Sequence, residues 1–213
     1  DLIHKWDLQK KDPSLKISEP IKPIIFWLEN TTPLKFRDYI KEGILAWNEA
    51  FLRAGIKNAI EVKIQPDDAE WDAGDIRYNV LRWTSSPNAP FGGYGPSFVN
   101  PRTGEIIGAD IMLEWVYATN RLTINDIFDS SHLSTECSIG NLMQEGNMMS
   151  YLTSLDKDDP EILKQSIIRL TLHEVGHTLG LNHNFKASFL HDSKNVHNKE
   201  LTQKVGLTGS VME

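Results

Sequence analysis

The stretch His173-Glu174-Val175-Gly176-His177-Thr178-Leu179-Gly180-Leu181-Asn182-His183 decides the fold of this 213-residue chain. His173 and His177 are four residues apart, so on a helix their imidazoles lie on the same face, where both reach one metal ion. A hydrolytic zinc site takes three protein ligands and leaves the fourth position for water. We expect His183 to be the third ligand. The spacing therefore predicts a catalytic rather than a structural zinc site.

Gly180 and Glu174 complete this pattern. Glycine adopts the left-handed conformation that commonly ends a helix, and at Gly180 it would turn the chain so that His183 returns beneath the metal. Glu174 lies next to the water position, where a carboxylate accepts the water proton during attack on a carbonyl and delivers it to the departing amine. We therefore predict Zn²⁺ as the cofactor, with His173, His177 and His183 as its ligands and Glu174 as the catalytic base.

The helix that carries this motif is predicted to begin near Asp159-Pro160-Glu161. Aspartate is a favoured N-cap, proline suits the first helical position, and an acidic residue in the first turn interacts favourably with the helix dipole. Apolar residues then recur at helical spacing and predict the face that packs on the core. These residues are Ile168, Leu172, Val175 and Leu179.

Residues 24–83 predict a sheet with a helix behind it. The apolar run Ile24 to Leu28 is typical of a strand buried on both faces. Helical spacing follows, with Thr32 as N-cap, Pro33 in the first position and Gly55 as the terminator. Alternation of apolar and polar residues predicts two more strands, over residues 60–64 and 76–83. The strand–helix–strand order favours parallel pairing.

The next segment predicts the antiparallel part of the sheet. Residues 87–96 contain three Pro and three Gly, so we expect a loop there. A short strand at Ser97 to Val99, the turn at residues 100–104 and a strand from Glu105 to Leu113 predict an antiparallel hairpin. The predicted fold class is therefore α/β, with a twisted mixed sheet of about five strands, one antiparallel edge strand, a backing helix and an active-site helix.

Composition excludes several classes of function. The net charge is −7 and the pI about 5.5, with no cluster of Lys and Arg, so we expect no nucleic-acid partner. No apolar run approaches the roughly 20 residues that cross a bilayer, so we expect no transmembrane segment. The single Cys137 is predicted to have no redox or nucleophilic role. Residues 115–158 show no clear pattern beyond a weak helical signal from Leu142 to Leu155.

The chain is predicted to contain one domain. Asp12-Pro13 and Glu19-Pro20 interrupt residues 1–20, which favours an extended leader outside the core. Residues 21–213 then form the catalytic domain, whose length is compatible with one hydrophobic core.

Several blocks beyond the zinc motif carry a family resemblance: Lys22 to Glu29, Asp75 to Trp83, Gly95 to Glu105 and His183 to Ser188. With these blocks the chain resembles the metzincin zinc endopeptidases, whose signature is His-Glu-x-x-His-x-x-Gly-x-x-His. It is most similar to a poorly characterised bacterial family of zinc-dependent metallopeptidases within that clan. The resemblance covers roughly residues 20 to 213, and implies a metzincin-like fold and an extracytoplasmic location, which is to say secreted, periplasmic or on the cell surface.

The resemblance also implies two structural features of the site. Metzincins place a Met-containing turn beneath the zinc, and Met212 in Ser210-Val211-Met212 is the candidate. The family continues this turn with Asp and Tyr, whereas Glu213 follows here, so we expect the domain to be truncated after the Met-turn and weakly active alone. The antiparallel edge strand of the clan binds substrate as an added strand. The candidate residues for this role are Tyr94, Gly95, Pro96, Ser97 and Phe98.

The predicted function is hydrolysis of peptide bonds in a peptide or protein substrate. Two alternatives stay open: a non-catalytic binding module that keeps zinc as a structural staple, and a zinc hydrolase of an ester or a non-peptide amide. The intact Glu174 disfavours the first, and the family resemblance favours peptides over the second. The sequence leaves the oligomeric state open.

Overall fold

The main sheet has five strands in the order β2-β1-β3-β7-β4 in the computed structural model, which describes residues 2–86, 92–114 and 160–213. Strand β1 pairs in parallel with β2 and β3, and β3 pairs in parallel with β7. Strand β4 is antiparallel to β7 at one edge. This confirms the predicted mixed sheet with one antiparallel edge strand. The strands are β1 Ile24–Leu28, β2 Ile60–Ile64, β3 Asn79–Thr84, β4 Gly93–Tyr94 and β7 Ile111–Glu114.

A two-stranded hairpin and several helices complete the described residues. The hairpin pairs β5, Ser97–Val99, with β6, Ile106–Ala109. None of the described helices is long and apolar enough to cross a membrane. The weak helical signal at Leu142 to Leu155, Asp159 and Cys137 all lie outside the described residues. The helices are α1 Leu34–Leu45, α2 Trp47–Arg53, α3 Pro160–Thr178, a 3₁₀-helix Phe185–Leu190 and α4 Lys199–Val205.

The backing helix differs from its prediction at both its start and its middle. Pro33 occupies the N-cap position with no side-chain hydrogen bond, and the hydroxyl of Thr32 is buried without a partner among the described residues. The single helix predicted up to Gly55 is divided at Ala46 into α1 and α2. Gly55 does end α2, with a φ of 88°. The cap was wrong because Thr32 is drawn into the interior, 1% exposed, instead of facing the helix end.

The core lies between the sheet and the two helices α1 and α3. Phe26 and Leu28 of β1 pack with Ile40 and Ile44 of α1 and with Val175 of α3, all fully or almost fully buried. Burial of each such side chain contributes about 1.5–3 kcal/mol. Alternate residues of β1 are only half-buried, so this strand is less deeply covered on its second face than predicted.

Helices α1 and α3 approach closely at one glycine, and this contact decides which face of α3 is buried. A Cβ atom at Gly43 would lie 2.9 Å from the carbonyl oxygen of Ile168 and 2.9 Å from the Cβ of Thr171. The buried face therefore follows Ile167, Thr171 and Val175. The predicted stripe was right at Val175 and partly right at Leu179, but it was wrong at Ile168 and Leu172, which are only half-buried.

The antiparallel edge strand of the main sheet lies before the strand predicted at Ser97 to Val99, and shares only Tyr94 with the residues that the resemblance implied. The strand expected from Glu105 to Leu113 is divided at Asp110, whose backbone N–H donates to Pro96 O at 3.1 Å and whose carboxylate accepts from the Val80 N–H at 3.3 Å. Strand β6 therefore stays in the hairpin, and β7 joins the main sheet parallel to β3. The edge strand is β4, inside the segment predicted as a loop, because two residues with a glycine carry no periodic signal.

The N-terminal residues contact the domain at separated points. Residues 2–20 form no helix, but single strand-like pairings join Lys5 to Glu105, Lys10 to Pro20 and Ser18 to Ile56. Trp6 and Leu8 pack against the core, which the sequence did not predict. The division of the chain at residue 20 stays a prediction.

Candidate metal centre

The structure brings the three predicted ligand histidines together. The Nε2 atom of His173 lies 3.1 Å from that of His177 and 3.2 Å from that of His183. Among the described residues these three are the group whose ligand atoms lie within 4.8 Å of one another. Tetrahedral zinc with bonds of 2.0–2.1 Å separates its nitrogen ligands by about 3.3 Å. The spacing of the three nitrogens therefore fits one zinc ion.

The outer ring nitrogens show which atoms are free to bind a metal. Nδ1 of His173 lies 2.7 Å from Val211 O, and Nδ1 of His177 lies 2.9 Å from Leu181 O. A carbonyl oxygen only accepts, so each Nδ1 carries the proton and donates, and each neutral ring then presents a lone pair on Nε2. Two such lone pairs 3.1 Å apart have no proton between them, and a cation is the partner that they lack.

The charge state of His173 agrees with this arrangement. Burial is the largest cause of a lowered pKa at His173, and the neighbouring His177 and His183 lower it further. The hydrogen bond with Val211 acts in the opposite direction but does not offset these effects. The neutral, metal-binding form of His173 is therefore favoured.

The turn after α3 positions the third histidine. Gly180 has a φ of 91°, its N–H donates to His177 O at 3.0 Å, and the Leu181 N–H donates to Gly176 O at 3.1 Å. This pair of hydrogen bonds is the Schellman arrangement that ends helices at a left-handed glycine. The chain leaves the helix in the direction that brings His183 to the other two ligands, as predicted for Gly180.

Glu174 lies one residue after the first ligand and is only 5% exposed. Burial raises the pKa of its carboxyl to about 7. A Cβ atom at Gly93 in the edge strand would lie 2.5 Å from the Oε1 atom of Glu174, and one at Gly95 would lie 2.5 Å from its backbone oxygen. Strand β4 therefore rests on this residue through glycines. A carboxylate with a pKa near neutrality is suited to exchange protons with a reacting group.

Met212, the candidate for the Met-turn, packs against α3 at Gly176. It is 3% exposed, its carbonyl oxygen accepts from the Asn184 N–H at 2.7 Å, and a Cβ atom at Gly176 would collide with its sulfur. Trp47 lies against the same glycine, 3.1 Å from that Cβ position, and its indole donates to Leu172 O at 2.9 Å. No sequence pattern indicated this contact between Trp47 and the site.

A cleft of about 430 Å³ opens over the three histidines and Glu174. Three of the predicted substrate-binding residues, Tyr94, Gly95 and Ser97, line it. Pro96 and Phe98 do not line it. Pro96 O accepts from the Asp110 N–H, and Phe98 follows Ser97 on β5, where successive side chains point to opposite faces. The sequence did not single out four other lining residues. Leu181 and Asn182 lie inside the zinc motif, Gly93 in a predicted loop and His4 in the predicted leader.

Comparison with known proteins addresses the C-terminal part of the chain. Residues 155–213 match a family model described as Met-zincin. No curated protein and no solved structure matches the chain. The matched residues include α3, all three ligand histidines and Met212, which are the parts of the site that the structure brings together. Residues 155–213 are therefore related to the metzincin clan, and the mixed sheet with its antiparallel edge strand is consistent with a metzincin-like fold.

Proposed function

We propose that this chain is a zinc-dependent endopeptidase. The observation that carries the proposal is the convergence of three imidazoles beside the buried carboxylate of Glu174, with His173 Nε2 lying 3.1 Å from His177 Nε2 and 3.2 Å from His183 Nε2. All four side chains line one open cleft. A structural zinc site would fill its fourth position with a protein ligand, and no fourth ligand lies in this cluster among the described residues.

The residues of the cleft divide the chemistry between them. Zinc held by the three histidines would supply Lewis acidity and a water of lowered pKa. Glu174 accepts a proton from the attacking water and returns it to the nitrogen of the departing amine. Val211 O and Leu181 O keep His173 and His177 in the tautomer that leaves Nε2 unprotonated.

The edge strand supports a peptide as the substrate. Strand β4 is the end strand of the sheet in the described residues, and both of its residues line the cleft. An extended peptide placed beside such a strand is bound through main-chain hydrogen bonds, which accept many side-chain sequences. Gly93 and Gly95 keep β4 close to Glu174, so a peptide bond beside this strand lies near the proposed base.

A peptide-library digest by zinc-loaded protein, read by mass spectrometry, tests this proposal. Glu174→Gln keeps the shape of the side chain but cannot take a proton, so we expect it to retain zinc while kcat falls about 10²- to 10⁴-fold. Glu200→Gln, an exposed residue of α4, is the matched control and should cleave like the parent.

Three outcomes would contradict the proposal. Unchanged turnover in Glu174→Gln would assign the base to another group. Absence of any cleaved peptide, together with Glu174-dependent hydrolysis of an ester, would make the chain a zinc hydrolase of another substrate class. A zinc-loaded parent that cleaves neither would point to a binding module.

A further inference from the structure

Residues 2–6, the N-terminal strap, are held against the candidate metal centre from two sides. The Lys5 N–H donates to Gly104 O at 3.0 Å, and Lys5 O accepts from the Ile106 N–H at 2.8 Å. The indole N–H of Trp6 donates to Thr178 O at 2.8 Å, at the last residue of the helix that carries two ligands. The strap therefore joins the β5–β6 hairpin to the end of α3.

Two glycines with left-handed backbones make room for the strap. Gly104 has a φ of 77° and Gly180 a φ of 91°. A Cβ atom at Gly104 would collide with Ile3 O, and one at Gly180 would lie 2.5 Å from His4 O. The strap thus passes between the hairpin turn and the exit of α3 without space for a side chain on either. Gly180 consequently has two tasks, ending the helix and accommodating the strap.

His4 is the residue that this arrangement places in the cleft. It lines the same cavity as the ligand histidines and Gly93 to Gly95, and its side chain is exposed. It is not part of the ligand cluster, which in the described residues consists of His173, His177 and His183. An imidazole at a cleft wall has one N–H donor and one acceptor available to a bound molecule.

We propose that the N-terminal strap is a wall of the substrate cleft and that His4 binds the substrate backbone through a hydrogen bond. This inference rests on the proposed function, because it assigns His4 to a peptide in the same cleft. The strap is fixed by backbone hydrogen bonds at Lys5 and by the indole of Trp6, so His4 is held in place before a substrate arrives. Such a contact strengthens binding of the peptide residues on one side of the metal centre, either the amino or the carboxyl side, more than on the other.

The test uses two hydroxamates with zinc-loaded protein, one extended by a tripeptide on the amino side of the chelating group and one on the carboxyl side. Calorimetry gives the Kd of each for the parent, His4→Ala and His4→Gln. We expect His4→Ala to weaken one hydroxamate about three- to tenfold, as for loss of one hydrogen bond, and the other less than about twofold. His4→Gln keeps an N–H donor and should recover part of the loss. His197→Ala, an exposed histidine that does not line the cleft, is the matched control.

Binding of a hydroxamate needs no turnover, so the outcomes separate the two proposals. A His4 effect in a protein that cleaves no peptide would support the strap and contradict the endopeptidase. Glu174-dependent cleavage with both hydroxamates indifferent to His4→Ala would overturn the strap and leave the endopeptidase standing. Failure of both hydroxamates to bind the zinc-loaded parent would overturn the strap as a substrate wall. Zinc content and thermal unfolding of each variant show that a change in Kd does not come from a lost metal or a lost fold.

Discussion

The three ligand histidines come from two regions that are built in different ways. Helix α3 buries Ile167, Thr171 and Val175 to 5% exposure or less, against the sheet and α1. In the C-terminal segment, residues 181–213, only Ala187 and Met212 are buried. Its two phenylalanines, Phe185 and Phe189, are 76% and 84% exposed. Hydrophobic packing therefore positions His173 and His177 but contributes little to the position of His183.

Polar contacts join this segment to the rest of the site, and zinc would add to them under the proposed function. Residues of the C-terminal segment are joined by the hydrogen bonds from Asn184 N–H to Met212 O and from Gly209 N–H to Ala187 O. Its contacts with α3 include those from Val211 O to His173, from Leu181 O to His177 and from Met212 to Gly176. Metal binding to a site that the unfolded chain lacks contributes its free energy to folding. We infer that zinc stabilises this segment far more than the sheet.

The strongest test of this difference is removal of the third ligand. His183→Ala removes the one proposed ligand that comes from the C-terminal segment. We expect the zinc affinity to fall more than about 100-fold, which exceeds the loss typical of residues that only support a ligand. Competition with a chromophoric chelator measures the affinity. His197→Ala, in the same segment, is the control. Full zinc affinity in His183→Ala would refute the three-histidine site.

Metal removal should affect the two regions unequally. Hydrogen exchange followed by mass spectrometry, with and without a chelator, gives the protection of each region. We expect exchange in residues 181–213 to accelerate about tenfold or more after chelation, because local opening then costs little free energy. Strands β1 and β3 should keep their protection. Equal acceleration in the sheet would show that zinc holds the whole domain and that the two regions fold as one unit.

The same difference explains what the sequence could predict. The grouping of the three histidines, the left-handed Gly180 and the limits of β1 and β2 followed from local signals, namely spacing, capping and periodicity. The edge strand β4 was missed because its two residues have no period, and the strap because Trp6 reaches Thr178 over 172 residues of sequence. Local patterns therefore predicted α3 and its exit, whereas contacts made only in the folded chain did not appear in them.

A smaller effect on stability is expected from alanine substitutions at two glycines that end helices. Gly180 and Gly206 have φ values of 91° and 99°, so alanine is strained at both, by about 1–3 kcal/mol. A Cβ atom at Gly206 meets nothing closer than Thr208 O at 3.4 Å, whereas one at Gly180 would lie 2.5 Å from His4 O. We expect Gly180→Ala to be destabilised about 1–3 kcal/mol more than Gly206→Ala, and to bind zinc more weakly. Equal free energies of unfolding for the two variants would mean that the N-terminal strap moves away from the added methyl group without a loss of stability.

The smallest effect concerns Glu114, at the end of β7 and only 5% exposed. Burial raises the pKa of its carboxyl, but hydrogen bonds from the Thr84 hydroxyl and from the N–H and hydroxyl of Ser86 outweigh burial, so the pKa lies below its ordinary value. A carboxyl with a lowered pKa stabilises the fold above its unfolded pKa, and this contribution is lost as the pH falls through the folded pKa. Glu114→Gln replaces the carboxylate oxygen that accepts from the Ser86 N–H by an NH₂ group, which cannot accept. We expect the free energy of unfolding at pH 7 to fall by about 1–2 kcal/mol.

The pH dependence and the zinc affinity of Glu114→Gln test whether the sheet is independent of the C-terminal segment. Urea unfolding of the zinc-free proteins should show the gap between parent and Glu114→Gln narrowing as the pH falls below about 4.3, the range in which an unfolded glutamate takes up its proton. Glu70→Gln, an exposed residue, should show no such gap. Because Glu114 belongs to the region held by the sheet, its loss should leave zinc affinity within about twofold of the parent, less than the change expected for a residue that supports a ligand. A large fall in zinc affinity would mean that the sheet edge and the C-terminal segment are coupled through the cleft, and the division between a packed region and a metal-held region would no longer stand.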